Sequence, residues 1–314
     1  MKKITFTSTA LLITLIVFQS LAAGFSVADR PYLSKEFTLT GNGNLEVRTS
    51  GASVRVTGHE GNQVLVEMYV KRNGKPVDPQ DAEVQKRLED YKIDISKSSN
   101  KVSVIVERRK NTNWGNGNNR LSLSFDIQVP NTISGKFSTS GGAVAIQGVE
   151  GEQDFNTSGG SIKIQDCRGK VYARSSGGSF HVDRYNGTME VQSSGGSVKL
   201  YNLTGALTVN SSGGSVHLDE VSGRIAANTS GGGIKANIST LDTELTLKSS
   251  GGSISAVVPK GLGMDLDLRG GRVNTHLTNF DGEVKKDKIL GKMNGGGVLV
   301  TMASSGGSIN LDYK

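Results

Sequence analysis

Two short segments carry residues that could do chemistry: His181-Val182-Asp183 and His217-Leu218-Asp219. They lie 36 residues apart, and Lys199 and Tyr201 stand halfway between them at the same offsets. Lys163 and Lys235 extend the spacing on either side. Imidazoles beside carboxylates are raw material for metal centres and for general acid–base pairs. Imidazoles alternating with ammonium groups make, instead, a contact for an anionic polymer.

The elements that position these residues are repeats. Ser-Gly-Gly recurs at Ser140, Ser158, Ser176, Ser194, Ser212 and Ser230, always 18 residues on. A second glycine keeps the step at Gly151, Gly169, Gly187, Gly205 and Gly223. Such a period marks a repeat architecture. In the unit Ser194–Ser211, Val198 and Leu200 alternate with polar neighbours, as do Leu207 and Val209, which is strand periodicity. Counted from the serine, positions 5, 7, 10 and 16 are apolar in almost every unit, for example Val198, Leu200, Leu203 and Val209. One unit cannot bury its apolar side alone, so units must stack, with equivalent strands ~4.8 Å apart. The expected fold is all-β: a parallel β-solenoid of 18-residue rungs, with a short helix inserted in the N-terminal part. The Ser-Gly-Gly pairs are expected to supply corners whose φ values other residues resist, with the second glycine on the inward side, where a side chain would crowd a thin edge.

Stacking decides what the first residues can do. Position 6 reads Lys163, His181, Lys199, His217, Lys235 and position 8 reads Gln165, Asp183, Tyr201, Asp219, both on one outer face. Two rungs are ~9.6 Å, twice the strand spacing. That separation is awkward for one metal ion, whose ligands sit ~2.0–2.2 Å away. Asp183 and Asp219 fall near the upper limit of the ~6.5–9.5 Å used by inverting glycosidases, but nothing in the sequence supplies a cleft around them. No Walker loop, zinc spacing or nucleophile elbow is present. The candidate ligand strip is therefore Lys163, His181, Lys199, His217 and Lys235; a merely solvated face is the alternative. No catalytic residue, metal or cofactor is expected.

The rest of the chain frames the array. Residues 1–28 read as a secretory signal peptide: Lys2-Lys3, an apolar run from Ala10 to Phe18, and Ser26-Val27-Ala28 before Asp29. Leu21-Ala22-Ala23 is an alternative cleavage site. Residues 29–135 form irregular N-terminal rungs with a helical insertion and cap, and 136–314 the regular Ser-Gly-Gly solenoid. Ser50-Gly51-Ala52-Ser53-Val54 already echoes the unit. Asp78-Pro79 reads as an N-cap followed by proline at the first helical position, with Val84, Leu88 and Tyr91 at helical spacing, so a helix is expected over 79–90. The polar segment between two later strands carries Arg108, Arg109, Trp114 and Arg120. It reads first as a mobile polar loop; the functional alternative is a contact loop for glycan or anionic polymer, with Trp114 stacking and the arginines pairing with charge. The lone Cys167 falls in an inward column and is expected to be an inert core thiol.

Formal charge is +7, of which two lysines lie in residues 1–28. The remaining charge is mild and spread, which argues against a dedicated nucleic-acid binder. The expected partners are a glycan, another anionic polymer or a cell-envelope protein. The expected location is exported, in the periplasm, on the cell surface or secreted, with no membrane span after signal cleavage.

The Ser50–Val54 echo, the strand ending Gln128-Val129-Pro130 before the array and the Ser-Gly-Gly-Ser-Val runs carry a resemblance. Over roughly residues 36–314 the chain resembles the bacterial putative-adhesin family of β-strand-repeat proteins, exported and of unknown function. The resemblance implies a right-handed solenoid and an adhesin-like role, and it brings no catalytic motif with it. The function expected is a non-enzymatic exported protein presenting a rigid surface for binding. The alternatives are a polysaccharide-acting β-helix enzyme and a structural or assembly protein of the periplasm.

Overall fold

The computed structural model describes residues 30–109 and 121–314; the expected signal segment 1–28 lies outside them. The described chain is all-β except for one short helix, and its strands form one continuous hydrogen-bonded sheet, a β-solenoid-like fold.

The four longest strands are Ile162–Ser175, Phe180–Ser193, Val198–Ser211 and Val216–Thr229. They run parallel in register: Ile162 pairs with Phe180, Phe180 with Val198, and Val198 with Val216. Their alternation decides what is buried. Val198, Leu200, Leu207 and Val209 are buried, while Lys199 and Thr208 are exposed. Parallel pairing puts like beside like, so each apolar position becomes a column through the core. Full burial of an aliphatic side chain contributes roughly 1.5–3 kcal/mol, and each such column repeats that gain rung after rung. Cys167 sits in one of these columns, and burial pushes its thiol up, away from the reactive thiolate.

The long strands bend twice within their length. Asp166, Arg184, Asn202 and Glu220 occupy equivalent positions with φ of 53°, 54°, 53° and 52°. Gly205, three residues after Asn202, has φ 131°. The left-handed region is costly for Arg and Glu, and here side-chain bonds between rungs offset the cost. The Arg184 guanidinium donates to Asp166 Oδ2 at 3.0 Å, and the Asn202 amide donates to Asp183 Oδ1 at 2.9 Å.

At the Ser-Gly-Gly corners the expected crowding is present and the expected glycine conformation is not. None of the paired glycines from Gly141 to Gly232 has positive φ, so backbone conformation is not why they are glycine. The reason is approach. A Cβ on Gly196 would lie 2.1 Å from the carbonyl oxygen of Gly178 one rung below, whereas a Cβ on Gly195 would meet nothing closer than 3.4 Å. The second glycine is thus required by the neighbouring backbone and the first is not. The buried hydroxyls just before the triplets seal the corner. Ser193 Oγ donates to the Gly196 carbonyl at 3.1 Å, and the Gly214 N–H donates to Ser211 Oγ at 3.1 Å. Backbone groups at this crowded edge are thereby satisfied without water.

Stacking order and chain order part at both ends. Val54 pairs with Val144 and Val56 with Ile146, so the echo at Ser50 stacks directly on the first regular unit. At the other end Ser249 pairs with Ser304, and Ala303 with Arg269. The strand Val298–Ser304 therefore inserts between two rungs that precede it in sequence. Antiparallel strands close the array: Tyr91–Ser98 and Leu33–Thr38 at the N-terminal end, and Lys288–Met293 with Phe280–Val284 at the C-terminal end. The helix spans Ala82–Leu88, shorter than the expected 79–90. Its N-cap is Asp81, whose carboxylate accepts from the N–H groups of Glu83 and Val84, while Asp78 accepts from Gln80 N–H in the preceding turn. Both aspartates can cap; the one nearer Val84 wins because Val84 is the residue the helix buries.

One contact locks the C-terminal segment to the regular rungs. Lys314 Nζ lies 3.0 Å from Glu220 Oε1, and Asn237 Nδ2 donates to the same oxygen at 2.8 Å. Hydrogen bonds from Ser239, Lys314 and Asn237 hold the Glu220 carboxyl down to about 2, from an ordinary 4.5. A depressed carboxyl contributes stability that is present above its ordinary value and lost as pH falls through the folded one. Glu220→Gln should therefore flatten the fall in thermal midpoint between about pH 4.5 and pH 2, measured against the unchanged protein in the same buffers. Because Glu220 is open to solvent, the readout is a change of slope. Parallel slopes for the two proteins would contradict the assignment.

Candidate functional site

Lys163, His181, Lys199, His217 and Lys235 come together in one line. Each pairs in register with the next: Lys163 with His181, His181 with Lys199, Lys199 with His217, His217 with Lys235. The three lysines are exposed and the two histidines half-buried. Tyr201, in the adjacent outward column, explains the difference. Its ring centroid lies 5.3 Å from that of His181 and 5.6 Å from that of His217, both tilted. One phenol ring thus bridges the two imidazoles diagonally across a rung and partly covers both.

The acids of the same face are already engaged. Asp183 accepts from Asn202 and is paired with Arg184, and Asp219 accepts from Asn237 Nδ2 at 2.8 Å. They are turned toward the bend residues and do not neutralise the lysines. The two carboxylates weighed as a catalytic pair lie on either side of Tyr201 in the paired register, and neither lines the clefts of about 1130, 470, 370 and 480 Å³. Among the described residues no group of three or more His, Cys, Asp or Glu could hold a metal ion.

A cleft of about 480 Å³ near the N-terminal end does contain acids, Glu46, Glu152 and Asp154, interleaved with Lys101 and Lys136. Lys101 donates to Glu46 Oε2 at 2.9 Å and Arg48 to Oε1 at 3.0 Å. These contacts, Lys101 first, hold the Glu46 carboxyl below its ordinary range. A general acid needs the opposite shift.

Of the candidate contact loop, Arg108 and Arg109 are described, and Trp114 and Arg120 lie outside the described residues. Arg108 ends the strand Lys101–Arg108 and pairs with Tyr91, and the Arg109 N–H donates to the Asp90 carbonyl at 2.8 Å. They are on the N-terminal cap, apart from the lysine–histidine line.

Sequence reasoning passed over a third outward column, position 17 of the unit: Asn156, Arg174, Gln192, Asn210 and Asn228. Its polarity in every unit was visible. That it borders a groove was not, because concavity depends on how the chain turns at the buried hydroxyls beside it.

The family described as Toastrack DUF4097 matches residues 40–312. Three solved bacterial structures are similar at low identity. A "putative cell adhesion protein" from Clostridium sporogenes is 11% identical, with 91% of this chain and 100% of that one covered and a TM-score of 0.24. A "putative adhesin" from Bacteroides fragilis is 12% identical, with 89% and 96% covered and a TM-score of 0.35. One from Parabacteroides distasonis is 10% identical, with the same coverage and a TM-score of 0.37. No curated protein matches the chain.

Proposed function

The chain belongs to the Toastrack DUF4097 family, whose description assigns no reaction, and from that premise we propose a non-enzymatic, exported β-solenoid of 18-residue rungs that presents a rigid surface for binding, in an adhesin-like or cell-envelope role. The observation that carries this reading is the in-register line of Lys163, His181, Lys199, His217 and Lys235. A parallel array fixes the backbone spacing of these positions at the rung repeat, ~4.8 Å. The ligand class that fits is an extended acidic polymer such as an acidic glycan. Asp183 is paired with Arg184, and among the described residues neither Asp183 nor Asp219 forms an ion pair with a lysine of the line.

Two observations weigh against the alternatives. The carboxyl with a shifted acidity in the acid-lined cleft, Glu46, is pushed toward the ionised form, which does not suit a glycosidase acid. Antiparallel strands with charged outer members cover part of each end, with Lys92, Asp94 and Lys97 at one and Asp281 and Glu283 at the other, and the parallel edge strand Arg272–Thr275 also carries a charge. Charged edge strands discourage end-to-end pairing and so disfavour an assembly role.

The test is a titration of polygalacturonate against residues 30–314 and against a Lys163→Ala/Lys199→Ala/Lys235→Ala variant, at low and high salt. Saturable binding is expected, weakened by added salt because the cations are exposed, and largely lost in the variant. Equal binding by the two proteins, or none by either, would leave the face with a role in solubility only.

A further inference from the structure

We propose that the groove beside the Ser-Gly-Gly corners is a second, separate binding track, for a linear, hydroxyl-rich polysaccharide bearing sparse acidic groups. The groove has a volume of about 1130 Å³ and runs along the stack from the rung of Asn156 to those of Ser304 and Arg269. It therefore crosses eight rungs, a length of roughly seven spacings of ~4.8 Å. It is open along its length, so it suits a polymer lying lengthwise.

Its chemistry is specific. One wall is the position-17 column, in which Asn156, Asn210 and Asn228 present side-chain amides and Gln192 donates to Glu190 Oε1 at 2.8 Å while keeping its amide oxygen. The Asn228 amide donates to Asn210 Oδ1 at 3.0 Å, so these two neighbours already form a ladder whose other donor and acceptor atoms face outward. The opposite wall is the first serine of each triplet, exposed from Ser158 to Ser250. The floor is the row of buried hydroxyls, whose bonds to corner backbone groups leave it satisfied and fixed. Amides and hydroxyls at a constant repeat of ~4.8 Å can both donate to and accept from the hydroxyls of a linear glycan lying along the stack.

The charges in the groove are all of one sign. Arg174, Lys248 and Arg269 line it and no carboxylate does. Arg269 is paired with Asp267, and Arg174 lies 3.9 Å from Asp154, a long and exposed contact. Lys248 makes no ion pair among the described residues. Arg174 and Lys248 stand four rungs apart, about 19 Å at the strand spacing. That separation suits occasional acidic groups and not a densely charged chain.

The same observations disfavour other polymers. An extended peptide could not add as a strand, because the corner backbone is already bonded between rungs: Ser194 N–H donates to the Ser175 carbonyl at 2.9 Å and Ser212 N–H to that of Ser193 at 2.8 Å. A single-stranded nucleic acid would find no aromatic side chain in the groove on which to stack its bases.

The experiment uses residues 30–314 and three proteins: unchanged, Gln192→Ala/Asn210→Ala/Asn228→Ala, and the Lys163/Lys199/Lys235→Ala strip variant. The substituted amides are at the surface, so equal melting midpoints serve as the check that all three fold alike. The probe is carboxymethylcellulose of low substitution, with single-stranded DNA and an extended acidic peptide as competitors. The unchanged protein is expected to bind the probe with an affinity that rises with oligomer length up to about the number of rungs crossed. The amide variant should bind at least tenfold more weakly, and the strip variant as the unchanged protein does. No binding of the probe, equal binding by the amide variant, or displacement by DNA or peptide at lower concentration than by the probe itself would overturn the proposal. Loss of binding in the strip variant alone would overturn it too, while leaving the lysine–histidine line as the site.

Discussion

Gly196→Ala is expected to destabilise the protein by about 3 kcal/mol or more, and Gly195→Ala by less than about 1 kcal/mol. The two glycines are adjacent and neither has positive φ. They differ in what an added methyl would meet. On Gly196 it would sit 2.1 Å from Gly178 O and 2.5 Å from Gly178 C, backbone atoms that the rung below holds in its own hydrogen bonds. On Gly195 it would sit 3.4 Å from Ser176 O, an ordinary contact. Relief at Gly196 would require two rungs to separate, straining the bond that the Ser194 N–H donates across them to the Ser175 carbonyl at 2.9 Å. Urea denaturation followed by far-ultraviolet circular dichroism reads both variants. Equal midpoints would show that the close approach is not what requires the glycine.

Val198→Asp is expected to cost more still, above about 4 kcal/mol, with loss of cooperative folding near neutral pH. Val198 is fully buried between Phe180 and Val216 in the paired register. A carboxylate there would have an apolar column above and below and no cation within the core. Lys199→Asp, one residue on, places the same group on the exposed face and should shift stability by only about 0.5 kcal/mol. The pair of variants isolates the alternation itself. Similar midpoints for the two would mean that the inward and outward assignments are wrong.

These expectations rest partly on sequence and partly on structure, and the division has physical causes. The inward columns were legible because parallel in-register stacking puts equivalent residues side by side, so a column of Val144, Ile162, Phe180, Val198 and Val216 reports its own burial. The line of Lys163, His181, Lys199, His217 and Lys235 was legible for the same reason. The bend at Asp166, Arg184, Asn202 and Glu220 was harder to see. Two of those residues tolerate a left-handed backbone, but Arg184 and Glu220 occupy it through contacts with other rungs, which no local pattern announces. The Ser-Gly-Gly motif was visible, and of its two expected reasons the crowding at the second glycine holds while the glycine φ does not: a glycine required by a neighbouring backbone looks, in sequence, like one required by its own φ. The order of the last rungs was also out of reach. The insertion of Val298–Ser304 between earlier rungs is a matter of long-range pairing, and local periodicity fixes only the register within a unit. The groove belongs to this second group, since its amide column was apparent and its depth was not.

The central claim is that the array binds an extended acidic polysaccharide and leaves it intact. It is tested most directly by incubating residues 30–314 with polygalacturonate and with carboxymethylcellulose, then measuring bound polymer by calorimetry and recovered polymer by size-exclusion chromatography. The account predicts saturable, salt-sensitive binding that strengthens with chain length, and polymer recovered at its original size. Absence of binding to both polymers, or recovery of shortened chains, would contradict it.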